Sequence, residues 1–336
     1  MIITLKNGTT EKQIKDFVST MNEKGFGTHV SKGENLTIVG LLGDTSSIET
    51  EQIETYPVVE KAKRISAPYK MASRTFHPAD TVIKVGNAEF GGSKIPVIAG
   101  PCSVETEEQV ISIARDVKKA GATILRGGAF KPRTSPYSFQ GLGAQGLKYL
   151  EAAKKETGLP IVTELMDIRQ LEYFDNVDII QIGARNMQNF DLLKEMGKVG
   201  KPILLKRGMA ASVKEFLMSA EYIMASGNEQ VILCERGIRT FDNYTRNCLD
   251  ISIIPYLHKI SHLPIIIDPS HACGHRWMVG DLAKAAVACN ADGLIIEVHN
   301  DPEKALCDGE QSLHPTEFAS LMKVLPQLAA INGRNI

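Results

Sequence analysis

The chain has 336 residues, 43% hydrophobic and 23% charged, with a formal net charge of −1. That length exceeds one average domain, and the composition is that of an ordinary globular protein. The near-neutral balance excludes nucleic acid or an anionic membrane as the main partner, so any anion site must come from local clustering of Lys and Arg.

The first residues lack the basic-then-apolar pattern of a signal peptide, and no apolar run is long enough to span a bilayer. The six cysteines are scattered with no CxxC pair. A disulfide framework is therefore not expected, and a cytoplasmic setting is.

Residues 1–66 read as a small α+β unit. A short strand at 2–5 is followed by a helix opened by Thr10 and Gln13 as a capping box, with Ile14, Phe17, Val18 and Met21 on its apolar face. Strands follow at 28–31 and 36–42 around the turn Lys32-Gly33-Glu34-Asn35, then a helix at 46–56 and a strand at 58–65. The order βαββαβ is that of a ferredoxin-like domain. Residues 67–80, with Pro68 and Pro78, read as a linker, and 81–336 as a second domain.

The second domain opens with a hairpin over 81–92. Eight short, nearly all-apolar runs follow, at 96–99, 123–125, 160–163, 179–182, 202–205, 230–234, 264–267 and 293–296. Such runs are expected of parallel strands covered on both faces. Helical patterns lie between them, capped by Thr106 with Gln109 and by Ser212 with Glu215, and a last helix covers 315–328. Eight βα units over about 250 residues have the rhythm of a (β/α)8 TIM barrel. An open doubly wound sheet would carry a Gly-rich phosphate turn after its first strand, where this chain has Gly100-Pro101-Cys102-Ser103.

In a barrel, the groups just after each strand converge on one mouth. Here they are Cys102; Arg126, Lys131 and Arg133; Glu164; Arg185; Lys206 and Arg207; Glu235 and Arg236; Asp268 and His271; Glu297 and His299, with Asp308 further along the last loop. The cations Arg126, Lys131, Arg185, Lys206 and Arg236 suit carboxylate and phosphate oxygens. Cys102, His271, Glu297 and Asp308 form a mixed set able to hold one divalent metal ion per subunit in a Lewis-acid role. Manganese, iron, cobalt or zinc would suit such a set. Cys248 and Cys289 fall in helical patterns and read as core. Trp277 reads as packed beneath the site or in the core. The match Gly141-Leu142-Gly143-Ala144-Gln145-Gly146 to GxGxxG follows no apolar strand, so a dinucleotide site is not expected. Pro269 and Gly274 argue against a metal-binding helix carrying His271 and His275, and His271 is taken as the ligand.

Several motifs, in order, resemble the 3-deoxy-D-arabino-heptulosonate 7-phosphate (DAHP) synthase family, of type I beta-like form. They are Ala99-Gly100-Pro101-Cys102-Ser103, Leu125-Arg126-Gly127-Gly128-Ala129-Phe130-Lys131-Pro132-Arg133-Thr134-Ser135, Ile182-Gly183-Ala184-Arg185, Leu205-Lys206-Arg207-Gly208, Cys234-Glu235-Arg236-Gly237, Asp268-Pro269-Ser270-His271 and Gly293-Leu294-Ile295-Ile296-Glu297. The resemblance implies condensation of phosphoenolpyruvate with erythrose 4-phosphate, the entry step to aromatic amino acids. It implies that Cys102, His271, Glu297 and Asp308 hold the metal. By the same resemblance Arg126, Lys131, Glu164, Arg185, Lys206 and Arg236 bind phosphoenolpyruvate, and Lys131, Pro132, Arg133 and Thr134 bind the sugar phosphate. Lys131, Glu164, Cys102 and His271 are the expected catalytic residues, with Glu164, Lys131 or a metal-held water left open as the group that moves each proton.

The small domain resembles an ACT-type regulatory domain, which implies inhibition by tyrosine or phenylalanine, with prephenate or chorismate also open, in a homotetramer. The alternative sister enzyme makes 3-deoxy-D-manno-octulosonate 8-phosphate from arabinose 5-phosphate. Its loop resembles Lys-Ala-Asn-Arg-Ser where this chain has Lys131-Pro132-Arg133-Thr134-Ser135. A sensor with an inactive barrel and a nicotinamide oxidoreductase are the readings from other classes.

Overall fold

In the computed structural model, which describes residues 1–32, 37–45, 47–64 and 68–336, the chain divides into two units, Met1–Lys70 and Met71–Ile336. The expected turn at residues 33–35, Leu36 at the head of its strand, Ser46 at the head of the second helix, Ile65 and the junction at 66–67 lie outside the described residues.

The first unit runs β1 (Ile2–Leu5), α1 (Glu11–Glu23), β2 (Gly27–Lys32), β3 (Thr37–Leu42), α2 (Thr50–Glu54) and β4 (Val59–Lys63). Its antiparallel sheet has the order β2-β3-β1-β4, so β3 lies between the two strands joined by α1 and β1 between the two joined by α2, as the ferredoxin-like pattern requires. The capping box at Thr10 and Gln13 is present, and α1 buries Ile14, Phe17 and Met21 against Ile3, Leu5, Val39 and Ile53. Helix α2 is shorter than the sequence pattern implies. The residue before Pro57 disfavours helical angles, and the chain turns from Ile53 to Tyr56 instead.

The second unit begins inside the segment expected to be a linker. Residues 71–80 are fastened to the barrel rather than free. The Glu221 carboxylate accepts the Met71 and Ala72 N–H groups at 2.9 Å each, Ser261 Oγ donates to Ala72 O, and Arg74 N donates to Ile260 O. The hairpin β5 (Ile83–Val85) and β6 (Ala88–Phe90) comes next. Then the chain alternates: β7 (Val97–Gly100), α3 (Glu107–Lys119), β8 (Ile124–Arg126), α4 (Ala144–Thr157), β9 (Ile161–Glu164), β10 (Ile179–Ile182), α5 (Phe190–Met196), β11 (Ile203–Lys206), α6 (Val213–Ala225), β12 (Val231–Glu235), α7 (Ile253–Ile260), β13 (Ile265–Ile267), α8 (Pro269–Cys273), α9 (Arg276–Ala288), β14 (Leu294–Glu297) and α10 (Pro315–Ile331). Strands β7 to β14 close into an all-parallel barrel. The β9–β10 connection departs from the strict alternation. It carries a 3-10 helix over Ile168–Tyr173, capped by Asp167.

The barrel interior follows from strand periodicity, because alternate residues face inward. Ile98, Ile124, Val162, Ile179, Leu204, Ile232, Cys234, Ile266 and Ile295 form the inner core, and Ile83, Val85, Ala88 and Phe90 of the hairpin pack into the same cluster. Each Ile, Leu, Val or Phe among them contributes about 1.5–3 kcal/mol on burial. The hairpin lies where the strands begin, with Gly86 against Pro160 and Gly91 near Pro264, so it fills the barrel's base.

Most strands end one residue later than the apolar runs suggest. Arg126, Glu164, Lys206, Glu235 and Glu297 are the last strand residues rather than the first loop residues. The parallel ladder continues through them, for instance Lys206 opposite Cys234 and Glu297 opposite Gly100. Among the described residues no helix is long and apolar enough to cross a membrane.

Candidate active site at the barrel mouth

Counting two residues onward from the last inner core position of each strand gives Gly100, Arg126, Glu164, Gln181, Lys206, Arg236, Asp268 and Glu297. Strand parity therefore turns these residues toward the mouth, and the structure clusters their side chains there. It also separates them from rim charges of the other parity. Arg207 turns to the opposite side of the strands, where it bonds Glu235 Oε2 and Asp250 Oδ2, each at 2.9 Å. His299, which shares the parity of Glu297 but lies past the end of β14, pairs with Gln109 at 2.8 Å. Arg207, Glu235 and His299 are thus structural members of the rim.

A cavity of about 220 Å³ at the mouth is lined by Arg126, Lys131, Glu164, Arg185, Lys206 and Arg236 among others. A second of about 230 Å³ is lined by Lys131, Pro132, Arg133, Thr134 and Ser135, and the two share Lys131, Pro132, Glu164, Arg185, Arg236, Arg246 and His271. The cations expected to bind one anion and the loop expected to bind another thus line adjoining spaces. Gly183 leaves room for Glu164, since a Cβ there would stand 1.9 Å from Glu164 Oε1. Burial pushes the Glu164 carboxyl above its usual range, only partly offset by Lys131, Lys206, Arg126 and Arg185. Burial likewise works against the Lys131 charge, but Cys102, Cys307 and Glu297 more than compensate and hold it above the usual lysine range.

Beside these cavities, Cys102, His271, Glu297 and Asp308 each present a donor atom, all within 4.8 Å of one another. Ligands sharing one ion through bonds of about 2.0–2.3 Å stand at comparable separations. His271 Nε2 lies 3.4 Å from Glu297 Oε1, and Cys102 Sγ lies 3.6 Å from Asp308 Oδ2. On the other side of the ring, His271 Nδ1 lies 2.8 Å from Asp268 Oδ2, off the line of a good hydrogen bond. A carboxylate behind a histidine is the usual support of a metal-binding imidazole. Asp268 is wholly buried. Burial opposes its charge, yet His271 and Lys206 hold it well below the usual carboxylate range. Asp308 is held at about 2: burial opposes its charge, and Arg246, His271 and Lys131 overcome that. Cys102 donates to Cys307 Sγ at 3.4 Å, and this contact, with burial and Glu297, raises its thiol well above the usual range. Coordination would release that proton. The donor set, its supports and its spacing fit a divalent metal ion.

His271 sits on a one-turn helix, contrary to the sequence expectation. Asp268 caps α8, Pro269 occupies its first turn and Gly274, at φ 73°, closes it. Both residues read as helix breakers are the normal ends of a helix. His275 lies beyond it, 3.2 Å from Tyr244 O. Trp277 is 76% exposed, neither core nor beneath the site. Cys248 is exposed in the loop after β12 and Cys289 is half-buried at the end of α9, so neither is core. The Gly141–Gly146 stretch opens α4: Gly141 and Gly143 turn the chain at positive φ, and Gly143 N donates to Ala129 O.

The structure adds Gln181, Arg246, Cys307 and Gln311 to the residues expected from the sequence. Gln181 Nε2 donates to Glu164 Oε2 at 3.2 Å and was legible from parity with Ile179. Arg246 donates to Asp308 Oδ2 at 3.2 Å. Cys307 contacts Cys102 and Arg133, and its thiol is lowered to about 7, first by the Cys102 contact and then by Lys131 and Arg133 against burial. These last residues come from loops with no local signal.

The DAHP synthetase I family matches residues 79–332, and the DAHP synthase ferredoxin-like domain matches residues 1–67. The chain belongs to the DAHP synthetase I family. It is 49% identical over 334 residues to the phospho-2-dehydro-3-deoxyheptonate aldolase of Thermotoga maritima, covering 99% of both chains. It also superposes on the crystal structure of a Thermotoga maritima DAHP synthase with a TM-score of 0.94 at 48% identity, covering 99% of this chain and 98% of that one. A 2-dehydro-3-deoxyphosphooctonate aldolase of Geobacter sulfurreducens is 33% identical over 269 residues, 74% of this chain and 98% of that protein. The barrel and the antiparallel N-terminal unit are therefore those of an enzyme family, and the chain is an enzyme of it.

Proposed function

We propose that the chain condenses phosphoenolpyruvate with erythrose 4-phosphate and water, giving 3-deoxy-D-arabino-heptulosonate 7-phosphate and phosphate. The observation that supports this most is the pair of adjoining cavities: one ringed by cations, the other by the Lys131–Ser135 loop, with Lys131 and Glu164 lining both.

Phosphoenolpyruvate offers a carboxylate and a phosphate, which accounts for Arg126, Arg185, Lys206 and Arg236 in one space. Its methylene carbon forms the new bond to the aldehyde carbon, and the aldehyde oxygen takes a proton. Water adds to the former enol carbon, and the carbon–oxygen bond to phosphate breaks. Lys131, kept protonated and shared by both cavities, suits the proton delivered to the aldehyde oxygen. Glu164, buried and with its carboxyl raised, suits the proton taken from the attacking water. A divalent ion held by Cys102, His271, Glu297 and Asp308 would supply Lewis acidity at the sugar's carbonyl oxygen.

A second reading, use of arabinose 5-phosphate, is favoured by the octulosonate relatives at 33% identity. The loop Lys131-Pro132-Arg133-Thr134-Ser135 and the full-length Thermotoga maritima relative favour erythrose 4-phosphate. We further propose that the N-terminal unit binds tyrosine or phenylalanine as a feedback inhibitor, a reading supported by its match to the family's ferredoxin-like domain.

One experiment tests the set: phosphate release measured with each sugar, with and without chelator, and with each aromatic amino acid. Release with erythrose 4-phosphate that a chelator abolishes and tyrosine or phenylalanine suppresses is expected. Release with arabinose 5-phosphate alone would overturn the substrate assignment.

A further inference from the structure

We propose that Gln311 is a positioning residue that fixes which oxygen of Glu297 is offered to the metal, and thereby sets the affinity of the site. The proposal rests on the reading that Cys102, His271, Glu297 and Asp308 bind a divalent ion.

Glu297 is wholly buried at the end of β14. Its Oε1 faces the other donors, 3.4 Å from His271 Nε2, and accepts from Arg126 at 2.8 Å. Its Oε2 accepts from Gln311 Nε2 at 2.7 Å. Gln311 is itself 2% exposed, and its Oε1 accepts from Arg246 at 3.0 Å. The same Arg246 nitrogen donates to Asp308 Oδ2 at 3.2 Å. One amide therefore joins two of the four donor residues, through the chain Glu297, Gln311, Arg246, Asp308.

The Gln311 amide satisfies both ends of that chain. A carboxylate needs a donor and a guanidinium needs an acceptor, and the carboxamide presents one of each in a single orientation. A glutamate in its place would set acceptor against acceptor at Glu297. An apolar side chain would leave buried Oε2 unpaired, which is costly.

The loop is shaped to deliver this side chain. Asp308 takes a left-handed conformation, φ 50°, uncommon for a non-glycine residue. Gly309 follows, so close to the preceding loop that a Cβ would stand 2.0 Å from Pro302 O. A 3-10 turn, Gly309–Gln311, then returns the chain inward, with Gln311 N donating to Asp308 O. Asp308 and Gln311 thus reach the site from one tight turn. Gln311 lines neither mouth cavity, so its effect passes through Glu297 and Arg246.

Without the amide, Oε2 loses its partner, and the Arg126 contact at Oε1 alone no longer fixes whether Glu297 presents one oxygen or both. The donors must then be ordered by the ion at the moment of binding. Loss of such outer partners typically weakens metal affinity about 10–100-fold.

The test uses the full chain with Gln311→Met, close in size but unable to pair, and Gln311→Asn, one methylene too short. Each is stripped of metal and titrated with Co2+ against a competing chelating dye, and the Co2+ absorption bands are recorded at saturation. Both variants are expected to bind Co2+ about 10–100-fold more weakly and to show shifted bands. Affinity within twofold of the parent, or a lowered melting temperature with unchanged bands at saturation, would overturn the proposal. Should Gln311→Met not fold, Gln311→Asn decides alone. Failure of the parent chain to bind Co2+ at all is a separate outcome, and it would overturn the metal reading together with this one.

Discussion

Arg207 donates to Glu235 Oε2 at 2.9 Å on the opposite side of the strands from Lys206 and Arg236. Both members of this pair are buried, and Arg207 also bonds Ala211 O and Asp250. Four charged residues at the ends of two neighbouring strands thus divide by parity into two that line the mouth cavity and two that hold the wall. Removing one partner of a buried pair leaves the other uncompensated, at about 3–5 kcal/mol. Glu235→Gln is expected to lower stability by that order, by denaturant titration, while KM for phosphoenolpyruvate stays within a factor of two.

Arg185 gives the opposite result. It is exposed and lines both mouth cavities. A charge-assisted hydrogen bond to an anion contributes about 1.5–3 kcal/mol, or roughly 10–150-fold. Arg185→Met is expected to raise KM for phosphoenolpyruvate by that order in steady-state kinetics, with melting essentially unchanged.

Metal binding should appear in stability as well as in rate. A ligand at about 100 times its Kd stabilises the folded state by about 2.7 kcal/mol. Manganese is expected to raise the melting temperature of the parent chain and not that of Cys102→Ser. An equal rise in both would remove Cys102 from the ligand set.

Glu164 predicts a pH dependence. Burial raises its folded-state carboxyl above the unfolded value, so the folded state binds the proton more tightly. The group costs nothing below the unfolded value. Its cost grows as pH rises through the window up to the folded value and is constant beyond it. The stability of the parent relative to Glu164→Gln should therefore fall as pH increases through that window. A difference that rises with pH would contradict the assignment.

Deleting residues 1–70 removes the ferredoxin-like unit and leaves the barrel with its fastened segment at 71–80. Phosphate release is expected to persist and inhibition by tyrosine or phenylalanine to vanish. Inhibition that survives the deletion would move the effector site into the barrel.

Much of the barrel was readable because each strand is a short apolar run, and apolar runs follow from burial on both faces. The mouth was readable in outline for the same reason, since charge can appear only where the runs stop. Sorting the rim needed one further step, the two-residue period within each strand. That step places Gln181 with Glu164 and removes Arg207 and Glu235. Arg246 and Gln311 were beyond reach. Their positions depend on how long loops close over the mouth, and loop paths obey no periodicity. Pro269 and Gly274 misled because the helix between them is only one turn long, so its two ends are nearly all there is to see.

The hairpin that fills the barrel's base leaves the barrel, among the described residues, one door, its mouth. Under the proposed function both substrates, water, product, released phosphate and the metal share it. Anything that covers that door stops the traffic in every direction at once, without altering a single catalytic group.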